Sequence, residues 1–187
     1  GTSYGGMVAM AHAARYPQSV SKLLLIVTAA HFGFNARAQE IVAERGNAIE
    51  KEAARKLWAG ELTTEDAMRD FFRSTWSLYS TSYEESKRAK NEEALKRCIY
   101  SPDALNRAFA PGGFLQSYDL RPELANITAP TLILAGRHDW ICAPEFSEEI
   151  HSLIPGSRLK IFEKSSHSIR GDEPEEFHAT VRDFITA

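Results

Sequence analysis

Gly1-Thr2-Ser3-Tyr4-Gly5-Gly6, continued by Met7-Val8-Ala9 and then by Leu23-Leu24-Leu25-Ile26-Val27, is the stretch that sets the fold class. A serine framed as G-x-S-x-G suits a sharp strand-to-helix turn, because small flanking residues let the backbone bend without side-chain collision. Gly5, Gly6, Ala9, Ala11, Ala13 and Ala14 predict a helix over Met7–Tyr16 that packs closely on a sheet, with Pro17 ending it. Leu23 to Val27 is a continuous apolar run of strand length, the pattern of a parallel strand covered on both faces. A strand is needed ahead of the serine turn, and none precedes Gly1. The expectation is therefore a missing N-terminal segment or a companion chain of about 80–110 residues that completes the sheet. Without it, Leu23–Val27 is expected to be an unpaired apolar edge.

Working outward, the period turns helical between Phe34 and Asn126. Ile41, Val42, Ile49, Ala53 and Leu57 read as one face of a first helix. Thr63-x-x-Asp66 marks a second, carrying Met68, Phe71, Phe72 and Trp76; Ser82-x-x-Glu85 marks a third; Ser101-Pro102 starts a fourth. Strand character returns at Thr131–Gly136. A helix from Pro144 presents Phe146, Ile150 and Leu153, a strand follows at Leu159–Phe162, and Pro174 opens a last helix with core face Phe177, Val181, Phe184 and Ile185. This is an α/β layout: a parallel sheet flanked by helices (residues 1–33 and 127–187) with an inserted all-helical cap (34–126).

The 187 residues are 43% apolar, which is a globular composition, and a net charge of −3 gives no general pull toward nucleic acid or an anionic membrane. The longest apolar run, Leu23 to Ala30, is too short to span a bilayer. Cys98 and Cys142 lie far apart and fit reduced thiols, so a cytoplasmic setting is expected. No His, Cys, Asp and Glu group has metal-ligand spacing, and there is no dinucleotide or phosphate loop; neither a metal nor a cofactor is expected.

Three residues fall where chemistry would need them. Ser3 sits at the first turn, Asp139 just after a buried strand, and His167 after the last strand; the C-terminal ends of parallel strands share one rim. Acyl transfer by serine needs a base, an acid that orients the base, and donors for the oxyanion. The order Ser, Asp, His is that of one of the three known serine-triad scaffolds. Asp139 also reads as a helix-capping turn residue, and His31, after the first visible strand, is a rival at the same rim, read as a substrate-pocket or cap-hinge residue. Asp172 and Glu173 read as caps of the last helix. Trp140 reads as an apolar wall, and Trp58, Phe71, Phe72, Trp76 and Phe114 read as pocket lining beneath the cap or as plain cap core.

GTSYGGMVA (1–9), TLILAGRHDWICAPEFSEEI (131–150) and IFEKSSHS (161–168) together resemble the α/β-hydrolase fold superfamily, in its proline iminopeptidase-like branch, over the part that starts at the nucleophile elbow. The resemblance implies Ser3 as nucleophile, Asp139 as acid, His167 as base and the Tyr4 amide as one oxyanion donor. It implies a serine hydrolase of an ester or amide bond in a small molecule or short peptide. Release of an N-terminal proline comes first among the implied reactions, with esterase or lactonase chemistry, another reaction of the fold, or a noncatalytic binding module as alternatives. The family's His-Gly-Gly-Pro-Gly type loop, which donates a second oxyanion amide, has no counterpart in this chain.

Overall fold

The computed structural model describes residues 1–187. Three parallel strands lie in the order β1-β2-β3: β1 is Leu23–Ile26, β2 Thr131–Gly136 and β3 Arg158–Phe162. Leu25 stands opposite Ile133 and Ile133 opposite Leu159. Every residue of β2 is buried, as its unbroken apolar run requires, while β3 is half-exposed along most of its length and forms an edge.

The other edge of β1 is not bare. Gly1 O accepts from Ile26 N at 3.0 Å, Ser3 N donates to Ile26 O at 2.8 Å, and Thr2 forms a parallel bridge with Ile26. The first residues thus act as the end of a fourth strand, which corrects the expectation of an unpaired β1 edge. Helix α1 (Tyr4–Arg15) springs directly from this stub.

Helices cover both sheet faces. On one, Met10, Ala13 and Ala14 of α1 and Ile150 of α7 (Pro144–Leu153) pack with Leu23, Leu25 and Ile133. On the other, Phe177 and Phe184 of α9 (Pro174–Thr186) pack with Leu132, Leu134 and Phe162. Ile185, expected on that core face, is 58% exposed. A four-residue turn of helix, α8 (Ile169–Asp172), precedes α9.

The segment between β1 and β2 is helical: α2 (Phe34–Arg45), α3 (Ala48–Ala59), α4 (Glu65–Tyr79), α5 (Arg88–Arg97) and α6 (Pro102–Phe109), with short 3-10 turns completing it. The single first helix of the sequence reading is in fact two. Asn47 Oδ1 accepts from the amides of Ile49 and Glu50, and Glu50 Oε2 accepts from Asn47 N at 2.7 Å, a capping box that restarts the chain after Gly46. Ile49 consequently faces solvent, 67% exposed. Thr64, not Thr63, caps α4 by accepting from Ala67 N at 3.1 Å. Ser101 caps α6 as its sequence indicates. Phe34, Ile41, Leu57, Phe71 and Leu115 of the insertion share one core with Trp140, in the loop after β2, and Phe146 of α7, so the insertion is seated on the strand-end rim.

Candidate active site

Ser3 occupies the turn between the stub and α1 with φ 52° and ψ −122°, a left-side conformation that L-residues other than glycine seldom adopt. The flanking glycines explain how it is held. A β carbon on Gly1 would lie 2.1 Å from Gly5 O, and one on Gly6 would lie 2.7 Å from the Thr28 side chain. Thr28 Oγ1 in turn donates to Ser3 O at 2.8 Å. Val27, at the end of β1, is the other non-glycine residue with positive φ (45°). Strained backbone therefore gathers at two neighbouring strand ends. Ser3 O also accepts from the amides of Gly6 and Met7, whereas those of Tyr4 and Gly5, at the positive end of α1, donate to nothing within the chain.

Asp139 follows β2 by three residues and is completely buried. Its Oδ1 accepts from Ile141 N at 2.8 Å and Cys142 N at 3.0 Å, and its Oδ2 lies 2.7 Å from His167 Nδ1. With the two amides on one oxygen and the imidazole on the other, this hydrogen-bond network assigns the ring proton to Nδ1 and leaves the Nε2 lone pair free. Burial, reinforced by the Asp139 charge, pushes the Tyr79 phenol and the Cys142 thiol far above their ordinary values.

The loops bearing Asp139 and His167 are stitched together. His138 N donates to Ser165 O at 2.9 Å and Arg137 N to Phe162 O at 3.0 Å. Gly136 permits this contact, since a β carbon there would sit 2.1 Å from Ser166 O. Asp172 and Glu173, read from sequence as helix caps, serve these loops instead: Glu173 Oε2 accepts from Lys164 N and Ser165 Oγ, Asp172 Oδ2 from Ser166 N, and neither side chain caps α9.

Ser3, Tyr4, Trp140 and His167 line one cavity of about 300 Å³ under the helical insertion; Ser3 and His167 share it without a hydrogen bond between them. Phe34, Trp58, Phe71, Phe72, Tyr79 and Phe109 supply aromatic walls, and no carboxylate is among the lining residues. Tyr79 stands edge-on to both His167 and Trp140, with ring centroids 5.6 Å and 5.4 Å away. Two buried polar atoms of the lining residues, Trp140 Nε1 and Asn35 Oδ1, have no partner.

Three other expected lining residues lie elsewhere. His31 sits in an outer cleft with Gln39 and Ser117, its Nδ1 accepting from Gly33 N and its Nε2 3.1 Å from Glu149 Oε2. Trp76 lines a separate cleft with Tyr83 and Leu95 on the far side of Tyr79, its ring centroid 6.1 Å from that of Tyr83. Phe114 is 52% exposed and packs edge-on against the Tyr4 ring outside the cavity. Helical spacing gave the face of a residue but not which end of that face meets the rim. Tyr79 was missed, although it lies seven and eight residues beyond Phe72 and Phe71, on the same stripe of α4.

Residues 1–174 match the family model described as the alpha/beta hydrolase fold. The chain belongs to this family. Among its relatives is a proline iminopeptidase of Saccharolobus solfataricus, 27% identical over 188 residues, covering 99% of this chain and 60% of that protein. A pimeloyl-[acyl-carrier protein] methyl ester esterase of Photobacterium profundum is 27% identical over 185 residues, covering 99% of this chain and 68% of that protein. Among solved structures, an alpha/beta fold family hydrolase from Bacillus anthracis str. Sterne superposes with a TM-score of 0.76 at 26% identity, covering 98% of this chain and 65% of the other. This α/β-hydrolase fold chain thus spans about 60–65% of the length of such relatives as the iminopeptidase and the Bacillus hydrolase.

Proposed function

We propose that this chain carries the nucleophile, base and acid of a serine hydrolase that works through an acyl-enzyme. The observation that carries the reading is the His167 Nδ1–Asp139 Oδ2 contact at 2.7 Å, with Asp139 pinned by two amides, on the cavity that holds Ser3 at its strained turn. In this reading Ser3 Oγ attacks the substrate carbonyl as His167 Nε2 takes its proton. The tetrahedral oxyanion is met by the Tyr4 amide, which is free to donate. His167 then returns the proton to the leaving group, Asp139 holds the imidazolium in place, and water repeats the sequence on the acyl-enzyme. Ser3 and His167 come within hydrogen-bond reach as substrate fills the chamber, a tightening common to such pairs.

The wall built by this chain favours a neutral, apolar acyl group. An N-terminal ammonium moved into such a chamber needs a carboxylate partner, and the only carboxylate at hand, Asp139, is fully engaged. The reading is therefore an ester hydrolase, in line with the methyl ester esterase among the relatives, ahead of the iminopeptidase reading. With the full chain, a fluorophosphonate probe is expected to label Ser3. Ser3→Ala is expected to lower hydrolysis of p-nitrophenyl butyrate at least about 10³-fold. Hydrolysis of L-proline p-nitroanilide at equal or greater kcat/KM than the butyrate would return the assignment to the iminopeptidase; absence of both labelling and hydrolysis would remove the hydrolase reading.

A further inference from the structure

Asp172 lies outside the cavity, yet its carboxylate gathers five donors from two parts of the molecule. From the end of α4 and the chain after it come Ser80 Oγ at 2.5 Å, Ser82 Oγ at 2.9 Å, Thr81 N at 3.2 Å and Ser82 N at 3.2 Å. From the loop that carries His167 comes Ser166 N at 3.0 Å. Burial pushes this carboxyl up, but the bonds from Ser80 and from the amides of Ser166, Ser82 and Thr81 outweigh it and bring it below the ordinary aspartate value. Asp172 is therefore charged at neutral pH, and bonds to a charged acceptor are the stronger kind.

The same two segments meet in three further places. Ser166 Oγ lies 2.5 Å from Leu78 O and 3.1 Å from His138 O, Ser168 N donates to Tyr79 O at 2.9 Å, and Thr81 Oγ1 donates to Lys164 O. Ser166 is buried, so its bonds are shielded from competing water, whereas the Thr81–Lys164 bond is exposed. Helix α4 is the element whose Phe71, Phe72 and Tyr79 form the chamber wall, with the Tyr79 ring against His167. The α4 wall of the chamber and the loop that carries His167 are thus joined through one carboxylate and three further hydrogen bonds.

We propose that Asp172 is a positioning residue that locks α4 of the cap to the His167 loop, so that the two move as one body and the seating of the acyl group against α4 sets the aim of His167. The proposal rests on His167 acting as the base. It makes no claim that Asp172 touches substrate. Its consequence is that loosening the latch lowers kcat while leaving KM nearly unchanged, because an imidazole displaced by about 1 Å costs on the order of 10² in rate without altering the apolar chamber that binds the acyl group.

Two variants of the full chain test it. Asp172→Asn removes the charge, and Ser80→Ala/Ser82→Ala removes the two hydroxyl ties to Asp172 on the cap side alone while keeping the bonds from the Thr81, Ser82 and Ser166 amides. For both, kcat on p-nitrophenyl butyrate is expected to fall about 10–100-fold, with KM within about threefold. Amide hydrogen exchange is expected to quicken together in residues 78–82 and 164–168. The double serine variant is the decisive one: exchange that quickens in 78–82 only, with kcat retained, would overturn the coupling. A wild-type chain that hydrolyses nothing would count against the proposed function instead, and the exchange measurement would still decide whether the latch joins the two segments.

Discussion

Gly136 is, with Gly1, one of the two most tightly built points of the site. It ends β2, and the backbone of Ser165 and Ser166 crosses so near that a β carbon would fall 2.1 Å from one carbonyl oxygen and 2.8 Å from another. Neither obstacle is a flexible side chain, so the loops must part. Gly136→Ala is expected to lower stability by about 1–3 kcal/mol in denaturant unfolding, by overpacking, and to lower ester hydrolysis on the order of 10²-fold, by moving His167 away from Asp139. A variant with normal kcat would show that the loops shift without disturbing the Asp139–His167 pair. In the sequence, the placement of Asp139 and His167 at one rim was legible because each follows a strand, and the turn at Ser3 was legible from the small residues around it. Gly136 was not, since a glycine ending an apolar run carries no sign of what passes over it. Trp140 was legible as a wall by adjacency to Asp139, but its unpartnered N–H depends on packing from Trp58 and Tyr79, which are far away in the chain.

At the scale of elements, β1 and β2 were readable because strands covered on both faces demand unbroken apolar runs, and both lie within a residue or two of those runs, while β3, an edge interrupted by Lys160, was readable from Leu159, Ile161 and Phe162. The break between α2 and α3 was equally written, as Gly46 followed by Asn47-x-x-Glu50, but the apolar period of 3.6 runs through it and hid the cap. Asn47→Ala is expected to cost about 1 kcal/mol in thermal or denaturant unfolding, because two amides lose their acceptor. The Asp172 latch adds a pH dependence. Its folded-state pKa lies below the ordinary 3.8, so its stabilisation is present above that value and is lost as pH falls through the lower, folded one. Asp172→Asn is therefore expected to be less stable than wild type at pH 7, with the gap narrowing as unfolding is measured at progressively lower pH beneath about 4. A gap that stays constant to pH 2 would mean that the carboxylate's charge contributes nothing to the fold. Asp172 and Glu173 were read as helix caps because acids before a helix-starting proline usually are; only tertiary structure shows Ser80–Ser82 arriving to claim one of them.

Across the whole molecule, three layers meet at the strand-end rim: α1 with α7 on one sheet face, α9 on the other, and the helical insertion over the end. The depth of each insertion helix over that rim is set by long-range packing, which is why Trp76, Phe114 and His31 were assigned to a chamber that they do not line. The two cysteines sit at opposite extremes of this arrangement. Cys98 is exposed, whereas Cys142 is sealed directly behind Asp139, its amide spent on that carboxylate and its thiol pushed up by burial and by the adjacent charge. A thiol reagent is expected to modify Cys98 at the rate of an ordinary exposed thiol and to reach Cys142 only when the Asp139 loop comes apart. Mass analysis of the two peptides over time would check this, and equal rates would mean that the rim opens freely. The protein therefore carries an internal clock and its own control: the lag between the two modifications reports how readily the Asp139 loop is uncovered, with no substrate present.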